Sequence, residues 1–242
     1  MTAAEAPRRG WLSKTLSPLF MKPAVVVECE PLGDRFRLIT LECAQFRKVD
    51  WAAGQKLQIG MGAGFATRTY TPIEWDALAG RTRIVGYAHD VGPGSAWVRS
   101  VHPGDRCEIF GPRASLDVRR ASGPIAIFGD ETSIGLTHAV TRQRPENAVQ
   151  SFFEVNSGAD ARRVLTSLRL GDAECFEREQ GDSHLSGIER RMTALVAAGA
   201  AFLLSGKASS IQRLHRALKG QGLPSARLAV KAYWAPGKTG LD

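Results

Sequence analysis

The texture of this chain changes at Pro124, and that change limits what it can fold into. Before it, apolar runs are short and broken by Gly and Pro: Ala24–Glu28, Phe36–Leu41, Lys56–Ile59, Thr82–Tyr87 and Asp105–Phe110, with turns at Pro31-Leu32-Gly33-Asp34 and Gly111-Pro112-Arg113. Strands spaced this closely predict a small antiparallel barrel. After Pro124, strand and helix patterns alternate. Ile125–Phe128 is continuously apolar, as a buried parallel strand should be, and Ser133–Val140 has helical spacing. Then come strand Val149–Val155, helix Ala161–Leu168, short strand Glu174–Glu177, helix Ile188–Ala198, strand Ala201–Gly206, helix Ser209–Lys219 and strand Arg227–Trp234. Alternation of this kind means a doubly wound parallel sheet with helices on its faces. The predicted fold is a β barrel plus α/β: a basic lead-in over 1–19, the barrel over 20–119, and the α/β part over 120–242.

Within the barrel, Ala66-Thr67-Arg68-Thr69-Tyr70-Thr71-Pro72 carries the chemistry. It follows the Gly-rich run Gly60-Met61-Gly62-Ala63-Gly64. On a strand, Arg68 and Tyr70 share a face. A flat, anionic, aromatic ligand wants both, a guanidinium for phosphate and a ring against a ring. The barrel pattern is interrupted once, by Val91-Gly92-Pro93-Gly94-Ser95-Ala96-Trp97-Val98-Arg99, a tight turn opening a short helix. Glycines let backbone approach a ligand, and the exposed N–H groups of a helix start suit phosphate.

Several function classes are set aside. The net charge of +8 points to an anionic ligand or partner, but Lys and Arg are scattered rather than striped, so no nucleic-acid partner is expected. No apolar run approaches a membrane span, and no stable membrane insertion is expected. Cys29, Cys43, Cys107 and Cys175 form no C-x-x-C pair, and the histidines at 89, 102, 138, 184 and 215 show no ligand spacing, so no metal site is expected. Ser95, Ser133 and Ser209 lie beside glycines, but G-x-S-x-G is absent, which argues against a hydrolase. Arg8-Arg9 followed by Trp11–Leu16 superficially suits a twin-arginine export signal, but Lys14 and Pro18 interrupt it, and a cytoplasmic home is the expectation.

An ordered set of landmarks then resembles the siderophore-interacting protein family of FAD-dependent ferric-siderophore reductases, within the ferredoxin-reductase superfamily. They are Arg68-Thr69-Tyr70-Thr71, His89, Gly92-Pro93 with Trp97, Pro103-Gly104-Asp105, Gly111-Pro112-Arg113, Gly129-Asp130-Glu131-Thr132, Gly206-x-Ala208-Ser209 and Tyr233-Trp234, spanning residues 20 to 238. The resemblance implies an FAD-binding barrel followed by an NAD(P)H-binding-like domain. It puts Arg68 on the FAD pyrophosphate, Tyr70 against the isoalloxazine, Thr71 near flavin N5, and the turn of Gly92, Pro93, Gly94, Ser95 and Trp97 over the phosphates or adenine; Thr69 and His89 would join the cofactor-binding set. It implies electrons passing from NAD(P)H through flavin to the Fe(III) of a ferric siderophore or similar anionic iron chelate, with no catalytic acid or base required. A ferredoxin-linked flavin reductase and a non-catalytic siderophore- or anion-binding module are the alternatives. For Gly129, Asp130, Glu131 and Thr132, a helix cap competes with a nicotinamide role, because two carboxylates suit the helix dipole and repel a pyrophosphate. The chain departs from the family with Lys207 in place of an acid, Ala232 in place of glycine, and no proline near Gly135.

Overall fold

The computed structural model describes residues 20–61, 66–89, 91–116, 118–119, 121 and 123–238. The basic lead-in, the arginine pair and Gly62–Gly64 therefore lie outside the described residues. Seven strands form the first sheet: β1 (Lys22–Pro31), β2 (Phe36–Glu42), β3 (Lys56–Gly60), β4 (Thr67–Tyr70), β5 (Pro72–Asp76), β6 (Arg81–Tyr87) and β7 (Arg106–Arg113). Their order is β4-β3-β7-β1-β2-β6-β5, with every pairing antiparallel. The strip curls because strands from both its ends feed one core: Leu57 and Ile59 of β3 and Tyr70 of β4 meet Ile39, Leu41, Ile84 and Trp75. No ladder joins the edge strands β4 and β5, so the barrel is rolled but not closed. Thr71 alone connects them. Helix α1 (Pro93–Ser100) interrupts the strands between β6 and β7.

The second sheet is parallel throughout, in the order β10-β9-β8-β11-β12. Its strands are β8 (Ile125–Asp130), β9 (Val149–Val155), β10 (Glu174–Glu177), β11 (Ala201–Lys207) and β12 (Leu228–Trp234), with helices α2 (Ile134–Gln143), α3 (Gly158–Ser167), α4 (Leu185–Ala197) and α5 (Ala208–Gly220). The even residues of β8 and β11, Ala126, Phe128, Phe202 and Leu204, pack on α4 and α5. The odd ones, Ile125, Ile127, Ala201 and Leu203, pack on Leu136, Ala139 and Val140 of α2, as alternation along a strand requires. Chain order reverses between β8 and β11, and open α/β sheets bind ligands outside the carboxyl ends of their strands at such a switch point.

The two sheets share cores. Phe36, Leu38 and Ile73 of the barrel are buried with Ile134, Phe153, Val155 and the inner face of α3. Ala53, Leu116 and Val118 join the α2 side in the same way. Full burial of a large apolar side chain contributes about 1.5–3 kcal/mol, so this seam is a major part of the fold's stability. Among the described residues no helix is long and apolar enough to cross a membrane, and no group of His, Cys, Asp and Glu is arranged to hold a metal ion.

Candidate functional site

Strand β4 carries Arg68 to the start of α1. Its side chain lies so close that a Cβ on Gly94 would sit 3.1 Å from Arg68 Cγ, and glycine makes that approach possible. Gly92 forms the N-cap at φ 124°, Pro93 takes the first turn, and no side chain caps the helix. The amide of Ala96 is already used by the carbonyl of Gly92 (3.0 Å). One turn in, Ser95 is 1% exposed and its Oγ has no partner. A guanidinium, an uncapped helix start and an unsatisfied buried hydroxyl thus share one place. Buried hydroxyls are rarely left unpaired, which makes Ser95 Oγ a candidate partner for a ligand or a bound water. Arg68 Nη1 donates to the Thr67 carbonyl at 2.7 Å, which leaves the rest of the fork for an anion.

Tyr70, two residues along the same strand, packs its ring 5.7 Å from that of Trp97 on α1. Burial pushes its phenol pKa up, partly offset by the charge of Arg68. Thr69 points the other way and is exposed. Thr71, at the gap between the edge strands, reaches Tyr233 of β12, with the two hydroxyls 3.5 Å apart. Next to it, Trp234 donates its indole N–H to Asp130 Oδ2 at 2.7 Å and stacks on His89, ring centroids 6.4 Å apart and 11° from parallel. Arg35 and Arg99 both donate to the His89 carbonyl. The predicted residues of the two halves therefore meet along one line, from α1 through β4 to the ends of β8 and β12.

At the carboxyl end of β8 the helix cap is real. Asp130 Oδ1 accepts from the Thr132 amide at 2.8 Å and from its hydroxyl. Burial pushes the Asp130 carboxyl up to about 6, with the Thr132 and Trp234 hydrogen bonds and the Arg178 charge pulling the other way. Glu131 turns away from the cleft into a bidentate pair with Arg178 (3.0 and 2.8 Å) and accepts from the Asn156 amide. Tyr87 of the barrel donates to the same carboxylate at 3.4 Å. Gly129 is buried, and a Cβ there would strike Ser133 Cβ at 2.2 Å. Arg178 offsets one carboxylate at the switch point, pairing with Glu131 at 2.8 Å while Asp130 and Glu154 stand 4.0 and 3.9 Å away.

The sequence reading missed this network. Glu154 at the end of β9 is fully buried and accepts from Ser210 Oγ and His184 Nε2, both at 3.0 Å. His184 Nδ1 accepts from the Glu179 amide, which puts the ring proton on Nε2. Arg178, Glu154, His184 and Ser210 come from four separate segments and share no local motif. Only their position beyond strand ends could have flagged them.

The three positions at which the sequence departs from the family it resembles, Lys207, Ala232 and Gly135, have defined surroundings. Lys207 Nζ pairs with Asp182 Oδ1 at 3.0 Å, with 17% of its side chain exposed. Ala232 packs against the α4/α5 core. A Cβ at Gly135 would lie 3.0 Å from Ile73 Cγ2, so α2 approaches β5 too closely for a bulky residue there.

Residues 56–116, from the start of β3 to just past β7, match the siderophore-interacting FAD-binding domain family. The likeness to that family is confined to this segment of the chain. The segment holds Arg68, Tyr70, His89 and all of α1. The chain is also 24% identical over 170 residues to the NADPH-dependent ferric-chelate reductase of Escherichia coli (strain K12), a match spanning 69% of this chain and 66% of that relative, just under two thirds of its length. Among solved structures, the siderophore-interacting protein SipS from Aeromonas hydrophila superposes with a TM-score of 0.73 at 20% identity, covering 90% of this chain and 94% of that one. The ferredoxin reductase in carbazole 1,9a-dioxygenase gives 0.72 at 16%, covering 88% and 69%. The matched segment thus sits in a ferredoxin-reductase-like fold, followed by a parallel sheet.

Proposed function

We propose that this protein is an FAD-dependent oxidoreductase that reduces the Fe(III) of a ferric siderophore or similar anionic chelate with electrons from NADPH, acting in the cytoplasm. The observation that carries it is the cradle formed by Arg68, the glycine-lined start of α1 and the unpartnered buried Ser95 Oγ. These residues suit FAD: the guanidinium and helix start take the pyrophosphate, and the aromatic pair of Tyr70 and Trp97 offers a surface for a flat ring. FAD supplies the conversion between the hydride of a nicotinamide and the single electrons that ferric iron accepts. The chain's own residues bind and orient. Thr71 and Tyr233 bring hydroxyls to the seam, and Asp130 fixes the indole of Trp234 across it. The switch point between β8 and β11, where Arg178 pairs with Glu131, is where a dinucleotide would dock. Similarity to an NADPH-dependent ferric-chelate reductase favours NADPH as donor and an iron chelate as acceptor.

Arg68→Ala removes a charge-assisted contact worth about 1.5–3 kcal/mol, which is a loss of roughly tenfold or more in FAD affinity. The purified protein should be yellow, and the variant should lose flavin at limiting FAD. A colourless wild type, or unchanged occupancy in the variant, would overturn the reading. NADPH-driven reduction of a ferric siderophore tests the reaction itself.

A further inference from the structure

A second cavity, of about 670 Å³, lies on the seam away from the flavin cradle. Its walls come from both halves: the end of β1 and the start of β5 on one side, the C-terminal turns of α2 and α3 on the other. None of its lining residues belongs to the cradle or to the Arg178 network. The floor is apolar, built from Leu32, Leu38, Ile73 and Leu168. Around the rim stand six ionisable groups: Glu30, Glu74, Arg83, His138, Arg142 and Arg169.

These groups are not equally engaged. Arg83 lies between the two carboxylates, 3.4 Å from Glu74 and 3.7 Å from Glu30. That trio carries one negative charge in excess, which the two remaining guanidiniums, Arg142 and Arg169, outweigh across the cavity. His138 is 5% exposed, and its Nδ1 has no hydrogen-bond partner; its Nε2 stands 3.9 Å from Glu74, beyond hydrogen-bond reach. Arg142, one turn further along α2, presents its guanidinium on the same face. Arg169 holds φ at 57°, a left-handed conformation that usually falls to glycine at a helix C-terminus. An arginine there puts a cation at the rim where glycine would have been the easier choice.

We propose that this cavity binds a small organic carboxylate, its carbon body on the leucine and isoleucine floor and its carboxylate held by Arg142, Arg169 and His138. Guanidinium forks match carboxylate oxygens, and the volume falls within the range of small-molecule sites rather than that of a bare ion. Because each half of the protein supplies a wall, the occupant bridges them. The proposal does not depend on the flavin reading.

Succinate is the probe, titrated into the purified protein by calorimetry at low ionic strength. Saturable binding at one site is expected, with the His138 Nδ1 resonance moving on addition. Arg169→Gly and Arg142→Gln should each weaken succinate by about fivefold, as expected of exposed charge pairs. Arg169→Gly should hold the melting temperature, since glycine adopts the local backbone freely. Flavin absorbance should not change in either variant. Absence of saturable binding, wild-type affinity in both variants, or equal displacement by sulfate at matched ionic strength would each overturn the proposal.

Discussion

Asp130 is completely buried yet reaches Thr132, Trp234 and Arg178, and its ionisation has a measurable signature. An ordinary aspartate titrates near 3.8, whereas burial raises this one to about 6. The folded state therefore binds the proton more tightly than the unfolded chain does. The stability this contributes is fully present below the ordinary value and is lost as pH rises toward about 6; beyond that it is flat. A shift of this size corresponds to roughly 3 kcal/mol. In Asp130→Asn that slope should vanish, so the variant should gain on wild type between about pH 4 and about pH 6 and keep a constant difference above. Urea unfolding midpoints across that range check it. Parallel curves for the two proteins would mean that Asp130 does not titrate in this window. The same substitution leaves one acceptor for the Thr132 and Trp234 donors, so it also loosens the indole that stacks on His89.

Gly206, at the end of β11, shows how tightly neighbouring elements are set at the switch point. Its φ is 105°, and a Cβ there would lie 2.5 Å from Asp130 Oδ2, an atom fixed by Trp234. Gly206→Ala combines a disfavoured backbone with a contact that cannot relax, and it should cost about 2–4 kcal/mol. Thermal unfolding should drop by several degrees, while the same change at exposed Gly220, which has open space around it, should have little effect. Element positions were legible in the sequence because alternation and helical periodicity agree with burial here: β6 alternates buried residues with exposed or half-buried ones, and α4 buries Ile188, Met192 and Leu195. β5 was not legible. The sequence reading ended its strand at Pro72 and assigned nothing to residues 73–76, and only pairing with β6 reveals Pro72–Asp76 as an edge strand, where a leading proline loses no ladder bond. Arg68, Tyr70 and the α1 start stood out because their chemistry is compressed into short stretches. The Arg178 network did not, because its members become neighbours only when the parallel sheet is assembled.

At the scale of the molecule, the two halves are joined by a shared core rather than by a linker and a wet interface. A fragment ending at residue 119 would uncover Phe36, Leu38 and Ile73, which are 1%, 5% and 2% exposed in the whole chain. Three large apolar side chains left in water forgo roughly 5–9 kcal/mol, comparable to the net stability of a domain. That fragment should bind a hydrophobic dye and melt well below the full chain. A monomeric fragment as stable as the whole would show that the seam contributes little. The contact between Ile73 and Gly135 carries a further consequence for how such chains diverge. With so little room on the helix side, a larger residue at either position has to be met by a smaller one at the other. A proline at position 135 would demand a trimmed partner across the seam. Across lineages these two positions should drift as a matched pair, and a gene that exchanged one half alone would inherit the mismatch.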